Sequence, residues 1–593
     1  MMNKSRSFVA TLALSGFALL LTTSCSPKGG SAPNVLNYPM ISDAKTLDPA
    51  FVGDLYSNMA STLAYEGLLE YAYLKRPHEL VPLLAESMPE VSKDGLTYTF
   101  KIRKGVLFAD HETFPQGKGR ELKAKDFVYS YLRVADPKND TGNYWIFEGR
   151  IKGLDLWREA QKKATAANFD TVVEGIQATD DYTLQIKLVK PYPQLLYVLA
   201  MAPTYVVPRE IVEKLGKDFG NTTAGTGPFK LARWMRPTRL SYVKNPSFRG
   251  QQYPTEGEEA DKTNGNLADA GKSIPFVDGV ELHVFVENQP MWLNLLSGSL
   301  DLSRVPKDNF KQAIDPATST LLPELASKGI GAHKAPQPEI SYEAFNMDDP
   351  LIKKGGANLR KAISLALDKR KAIELFFNNQ AVLGQSPVPP DFAGYDPEFK
   401  NPYAEYNPEK AKEYLAKAGF PEGKGLPEIN YETIQGTDSR QQAEKIQADL
   451  AKIGIKVRIN VNSFPELTEK INKSRAQMWG IAWGADYPDA ENFFQLLYCK
   501  NKTPGPNGAN YCNPTYDKLY EKLSVMRDSP ERRKVIRQMV DIFVEDLPWI
   551  IERHRIFWFL TQPWLKNFKS GYMGAIEAKY LRVDTERRKQ GLK

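Results

Sequence analysis

Apolar and polar positions trade periods along most of the chain. "LTYTFKI" (Leu96 to Ile102) alternates every second residue, as a half-buried strand does, and "DYTLQIKL" repeats the pattern. From Asn358 to Phe377 the period becomes helical. Asn358 suits the cap, and Leu359, Ala362, Ile363, Ala366, Leu367 and Ile373 share one face. The fullest pattern lies between Glu428 and Asp486. "EINYETI" reads as a strand and Ser439 to Ile453 as an amphipathic helix, with Ala443, Ile446, Leu450 and Ile453 on one side and Gly454 as its stop. "IKVRINV" is a second strand. "SFPE" (Ser463 to Glu466) has the form of a capping box with Pro465 in the first turn, and Leu467 and Ile471 continue that helix. "AQMWGIAW" is the third strand. The order β-α-β-α-β predicts a parallel sheet.

This pattern singles out Asp486. It lies just past the carboxyl end of the third strand, where open α/β sheets bind ligands. The turn-like "ADYPDA" leaves an ordinary turn aspartate as the alternative. No internal repeat is evident. The low-complexity stretch Gly250 to Ser273 predicts an exposed loop.

Bulk numbers narrow the class. A chain of 593 residues implies two to four domains. Its 42% hydrophobic and 25% charged content is that of a soluble globular protein. The 28 Tyr and 9 Trp suit clefts for organic ligands as well as cores. A net charge of +7, with both signs interleaved, gives no nucleic-acid footprint. The tail "RVDTERRKQGLK" reads as a solvated end. At the N-terminus, Lys4 and Arg6 precede an apolar run from Phe8 to Leu21, short of the ~20 residues of a membrane span but right for a signal peptide over 1–24. "LTTSC" resembles a bacterial lipobox with Cys25 as the lipidated residue. Thr22 stands where leucine is usual, and plain secretion is the alternative. Residues 25–35, rich in Ser, Pro and Gly, read as a flexible tether. No later segment reads as a membrane span. Cys499 and Cys512 share a loop-rich segment of a chain read as secreted, which fits a disulfide worth ~3 kcal/mol; two free thiols are the alternative.

Enzyme motifs are wanting. "GNLADAGKS" has five residues, not four, between its first glycine and Gly-Lys-Ser. "GTGPF" is too short for a dinucleotide fingerprint. None of the five histidines pairs at metal-ligand spacing, and neither HExxH nor GxSxG occurs. Nothing calls for a cofactor or a metal; calcium would need more clustered oxygens. Asp486 and Asp489, flanking Pro488, leave open a glycosidase pair, which needs carboxyls ~5–9 Å apart.

Seven segments occur in a telling order: "TLDPAFVGDLYSNMASTLAYEGLLEY" (Thr46 to Tyr71), "LAESMPEVSKDGLTYTFKIRKGVLFAD" with "LKAKDFVYSYLR", "AGTGPFKLARW" (Ala224 to Trp234), "LLSGSLDL", "FNMDDP…LRKAISLALDKRKAI", "IAWGADYPDAENFF" and "EDLPWIIERHRIFWFLTQPWLKNF". Together they resemble the family 5 extracellular solute-binding proteins of bacterial ABC importers, the group of the oligopeptide- and dipeptide-binding proteins. The resemblance implies an α/β, two-lobed, three-domain periplasmic-binding-protein-like fold around a hinged cleft. Domain I would comprise 36–71, 205–335 and 554–593, domain II 72–204, and domain III 336–553. Closure on ligand would present the bound form to a permease.

The same resemblance implies a site. Asp486 would pair with a peptide's terminal ammonium, with Tyr487 beside it. Backbone groups of Ala482, Trp483 and Gly484 would bind the peptide main chain as an added strand does. Gly53, Asp54 and Leu55 match the facing main-chain segment. Tyr144 or Trp145 would supply an aromatic wall, with core packing the alternative. The chain departs from those oligopeptide binders that carry basic residues shortly before the W-x-x-D-Y element. No basic residue follows Arg475 here, and Arg475 itself reads as a solvated helix end. The leading expectation is a monomeric, non-enzymatic lipoprotein, held to the membrane by its lipid, that captures peptides in the periplasm or at the cell surface. The alternatives are the same fold binding another solute (a sugar oligomer, an opine or a nickel complex) and a secreted glycosidase using Asp486 and Asp489.

Overall fold

The computed structural model describes residues 34–592 except 140 and 504. The signal peptide, Cys25 and the tether up to residue 33 lie outside the described residues. Strand β1 (Val35–Met40) already buries Leu36 and Met40. The tether ends before it: the Asn34 side chain donates to the Phe276 carbonyl at 3.1 Å and to Asp278 at 3.0 Å. Asp54 caps helix α1 (Leu55–Ser61), accepting from the Tyr56 and Ser57 amides at 3.1 and 3.0 Å. The two alternating segments become β2 (Thr97–Lys101) and β3 (Thr183–Lys187), which pair antiparallel at the centre of a four-stranded sheet. Strand β4 (Gly279–Val284) runs parallel to β1 in another four-stranded sheet. One hydrophobic core joins these sheets and includes Leu565, Phe568 and Leu581 from the far end of the chain.

A second core spans residues between Ile340 and Ile551. The elements around it, with the sheet that extends beyond it, are in chain order β5 (Leu302–Arg304), β6 (Glu339–Phe345), α2 (Pro350–Ala366), α3 (Lys369–Phe377), β7 (Ile429–Ile434), α4 (Thr437–Ala451), β8 (Val457–Asn462), α5 (Phe464–Asn472), β9 (Met478–Gly484), α6 (Pro530–Asp546) and β10 (Trp549–Thr561). The eight-stranded sheet runs β5-β10-β6-β9-β7-β8, with two short strands added on β10. Strand β7 is parallel to both β8 and β9, as the alternating pattern predicts. Ser463 and Glu466 close the capping box of α5, the Ser463 amide donating to Glu466 at 2.8 Å. The parallel trio continues into a mixed sheet, because β6 lies antiparallel to β9.

Three expectations need correction. The helix read over 358–377 is two helices. Asp349 caps α2 nine residues before the expected cap Asn358, and Gly356, at φ 59°, bends it. Asp368 then ends the run by accepting from the Lys371 amide at 2.9 Å, which caps α3. The apolar face is buried as read, so its period carries across the break. Second, the 250–273 stretch is not a free loop. Asp261 and Asp269 are each 1% exposed, and they accept from Lys569 and Arg582, each at 2.6 Å. Third, the basic tail is not merely solvated. It forms a helix over Thr585–Gln590, and Arg588 donates to both oxygens of buried Asp301 at 2.7 and 2.6 Å. In both cases a mixed-charge sequence conceals long-range ion pairs. Arg475 is exposed and pairs with Glu469 at 3.2 Å. Among the described residues no helix is long and apolar enough to cross a membrane.

Candidate functional site

Strand β9 stops at Gly484, and the chain turns at once. The Ala485 amide still donates to the Pro338 carbonyl, at 2.7 Å. The turn itself is held by Asn492, which is wholly buried. Its amide donates to the Asp486 carboxylate at 2.9 Å, and its carbonyl accepts from the Asp486 backbone at 3.1 Å and from the Trp483 indole at 3.3 Å. Asp486 is thus aimed by its neighbour's side chain. Among the described residues no cation pairs with it. Burial raises its pKa, and the Asn492 hydrogen bond opposes that rise.

The strand edge beside it is open. Strand β6 pairs with all of β9, whereas β7 covers only Met478 and Trp479. Backbone groups alternate between the two edges of a strand. Since Ala485 donates toward β6, the groups of Trp483 also face β6, and those of Ala482 and Gly484 face the uncovered edge. Both of these residues are exposed. Of the three backbone positions expected to bind a ligand, Ala482 and Gly484 are therefore free to do so and Trp483 is already engaged.

Asp486 borders a cavity of about 870 Å³. Gly53, Asp54 and Leu55 line it as well. The Asp54 carboxylate is spent on the α1 cap, while Gly53 has open space beside it and Leu55 is exposed. Trp145 lines the cavity too. Tyr144 does not. Its hydroxyl donates to Asp155 and Arg158 lies 4.3 Å from its ring, in a separate depression. Tyr487 is also turned away. Next to Asp486 in the turn, it is wholly buried, donates to Glu491 at 2.7 Å and stacks on Tyr197 with centroids 5.9 Å apart. Asp489 is not a bare turn residue. It forms a buried ion pair with Arg532 at 2.6 Å and does not line the cavity, so Asp486 and Asp489 do not face a common substrate position. Cys499 and Cys512 are joined as a disulfide.

The cavity holds residues that no local pattern marks. Arg304, at the end of β5, lies over the Phe557 ring at 4.6 Å and has no acidic hydrogen-bond partner. Its neighbour Arg555 is already bound by Glu339 through two hydrogen bonds. The irregular segment 568–575 supplies a continuous stretch of the wall, and buried Glu577 follows it. Lys569 anchors it to Glu258 and Asp261 at 2.5 and 2.6 Å, and Tyr580 stacks on Tyr73 at 4.3 Å just beyond.

The model of the bacterial extracellular solute-binding proteins, family 5, middle region, matches residues 79–505. The chain is 26% identical over 575 residues to Di/tripeptide-binding protein 2 of Pseudomonas aeruginosa (strain UCBPP-PA14), covering 95% of this chain and 98% of that one. It is 26% identical over 526 residues to Heme-binding protein A of Haemophilus influenzae, covering 87% and 86%. Among solved structures, the ABC transporter-associated periplasmic binding protein DppA from Helicobacter pylori, in complex with peptide STSA, superposes with a TM-score of 0.71 at 24% identity, over 93% of this chain and 98% of that one. That likeness bears on the fold: mixed α/β, of the periplasmic binding-protein type.

Proposed function

Because this chain belongs to the bacterial extracellular solute-binding proteins of family 5, a family of substrate-binding transport proteins, we propose that it captures peptides for an ABC importer and delivers them to the importer's permease. Asp486 carries this reading: a cation-free carboxylate, oriented by Asn492, at the border of a cavity and next to an uncovered strand edge. A peptide's terminal ammonium would satisfy the carboxylate through a charge-assisted hydrogen bond of ~1.5–3 kcal/mol. Its main chain would meet Ala482 and Gly484 on one side and Gly53 on the other, contacts that ignore side-chain identity. Arg304 is the group suited to the ligand's carboxylate, in place of the basic residues missing before Trp483. Capture proceeds by closure of domain III, 336–553, against the rest, with domain II at the rim. Lipidation of Cys25 would keep a monomeric receptor at the membrane surface.

The test is thermal stabilisation of the protein by peptides with a free amine and by the same peptides N-acetylated. Ligand binding stabilises in proportion to affinity. Stabilisation by the free amines, and little by the acetylated set, is the expected result. Equal stabilisation by both would remove Asp486 from the amine, and stabilisation by neither would remove peptides as cargo.

A further inference from the structure

Among the described residues, no cation pairs with the Glu577 carboxylate. It is 6% exposed and lines the cavity, and the hydrogen bond it receives from another side chain is a long one, 3.4 Å from the Tyr38 hydroxyl. Asp486 apart, the other acids on the cavity wall have a partner or a nearby cation. Asp54 caps α1, Glu258 accepts from Lys569, and Asp391 sits in the field of Arg76. Three nearby cations are committed. Lys569 is shared by Glu258 and Asp261, Arg76 donates to the backbone carbonyls of Tyr73, Lys75 and Ser570, and Lys579 is taken by Glu70 at 2.6 Å.

The backbone that carries it is fixed in place. The Glu577 carbonyl accepts from the Tyr580 amide at 2.9 Å, and the Tyr580 ring is stacked on Tyr73. From this backbone the side chain lines the cavity and stays buried. The titratable groups around it are Tyr38 on β1, Tyr73 and Tyr572, all of them neutral near pH 7. An unpaired buried charge is costly, and such a group in a cleft points to something the cleft binds. We propose that Glu577, with the Tyr38 hydroxyl, is a second cation-recognising position, which takes the ammonium or guanidinium of a basic peptide side chain while Asp486 takes the terminal amine. This rests on the peptide reading above and adds a cargo class to it: peptides with lysine, arginine or a similar basic residue. Burial pushes the Glu577 carboxyl up to about 7, so pairing with a cation near that pH releases a proton to the buffer.

Calorimetry on the purified protein tests this, using alanine tripeptides with either lysine or norleucine at one position in turn. At one of the positions the lysine peptide is expected to bind roughly 10- to 100-fold more tightly than the norleucine peptide. At pH 6.5 that peptide alone should show the extra proton release, read from the dependence of the heat on the buffer. Glu577→Gln should erase both differences and leave the norleucine affinity in place. Tyr38→Phe, which keeps the carboxylate, should narrow the preference and serves if the first variant does not fold. Equal affinities for lysine and norleucine at every position would overturn the proposal while the peptide reading stands, as would a preference that survives Glu577→Gln. If neither kind of peptide binds, both readings fall together.

Discussion

Arg532 holds Asp489 at 2.6 Å, whereas Asp486, on the same turn, meets no cation and accepts its side-chain hydrogen bond from Asn492. The two carboxylates that stand together in the sequence have opposite fates. Asp489 is drawn inward to α6 and helps hold the turn to the second core. Asp486 is held on the cavity side with its charge uncompensated. A structural ion pair thus steadies the segment from which a binding charge projects.

Asp486→Asn should therefore cost binding without costing stability. Free-amine peptides are expected to bind roughly 10- to 100-fold more weakly, the loss of one charge-assisted hydrogen bond. N-acetylated peptides should be unaffected. The melting temperature of the ligand-free protein should stay nearly constant, since no native ion pair is broken. Isothermal titration and a melt of each protein check this; the same loss for both peptide sets would show that the carboxylate does not see the amine.

Affinity should also depend on pH through Asp486. Its pKa is raised, chiefly by burial. Only the ionised carboxylate pairs with an ammonium, so lowering the pH weakens binding before the ordinary aspartate range near ~4 is reached. For a peptide without basic side chains, the dissociation constant should begin to rise as pH falls below neutrality, earlier than an ordinary aspartate would require. Asp486→Asn should flatten that slope. A flat profile in the unaltered protein would contradict the assignment.

Arg532→Met should do the reverse of Asp486→Asn. Arg532 is 1% exposed, and its removal leaves Asp489 buried and unpaired. Losing one partner of such a pair costs ~3–5 kcal/mol. Urea unfolding should register this, while the ratio of free-amine to acetylated affinity stays unchanged in the protein that remains folded.

How much of this was legible follows from the range of the interactions involved. The β7-α4-β8-α5-β9 unit is set by periods of 2 and 3.6 and by the Ser463–Glu466 cap, all local, and the sequence displays them. Asp486 stands out in the sequence because a topological rule relates strand ends to ligand positions. Tyr487 differs from expectation because, in the turn after β9, its hydroxyl is taken by buried Glu491 and its ring by Tyr197, so a neighbour of Asp486 in sequence lies in the core. Asn492 carried no signal beyond its place in a turn. The 568–575 wall was missed for a further reason. It has no periodicity, Asn567, Gly571 and Ala575 take positive φ, and its shape depends on Tyr73, Asp261 and Asp269, hundreds of residues away. The same distance hid the purpose of the 250–273 acids.

Arg304→Gln should separate ligands by their carboxyl end. The guanidinium lines the cavity, lies over Phe557 and has no acidic hydrogen-bond partner, while Glu339 is committed to Arg555. The substitution is expected to weaken free-acid peptides by roughly 10-fold or more and to leave C-amidated ones nearly as they were. Competition binding with matched acid and amide peptides measures this. Equal effects on both would place the ligand carboxylate elsewhere.

Glu577 makes a prediction that needs no ligand at all. Its carboxyl is raised from 4.5 to about 7 in the folded protein, by burial. A group whose folded pKa exceeds its unfolded value contributes stability that is fully present below the unfolded pKa, here ~4.5, and is lost as pH rises through the folded one. Between those limits the folded state binds the extra proton. Above pH 7 the folded chain must carry a buried, unpaired charge, a penalty of about 3 kcal/mol relative to the protonated form. Glu577→Gln keeps the size and removes the titration. Its unfolding free energy relative to the unaltered protein should therefore improve with pH, by up to about that amount between pH 4.5 and pH 8. Denaturant melts of ligand-free protein at both pH values provide the comparison. The Asp486 carboxyl titrates identically in both proteins and cancels from the difference. If the difference does not change with pH, the carboxyl is not titrating in this window, and the proton release expected when a basic peptide binds would be absent as well.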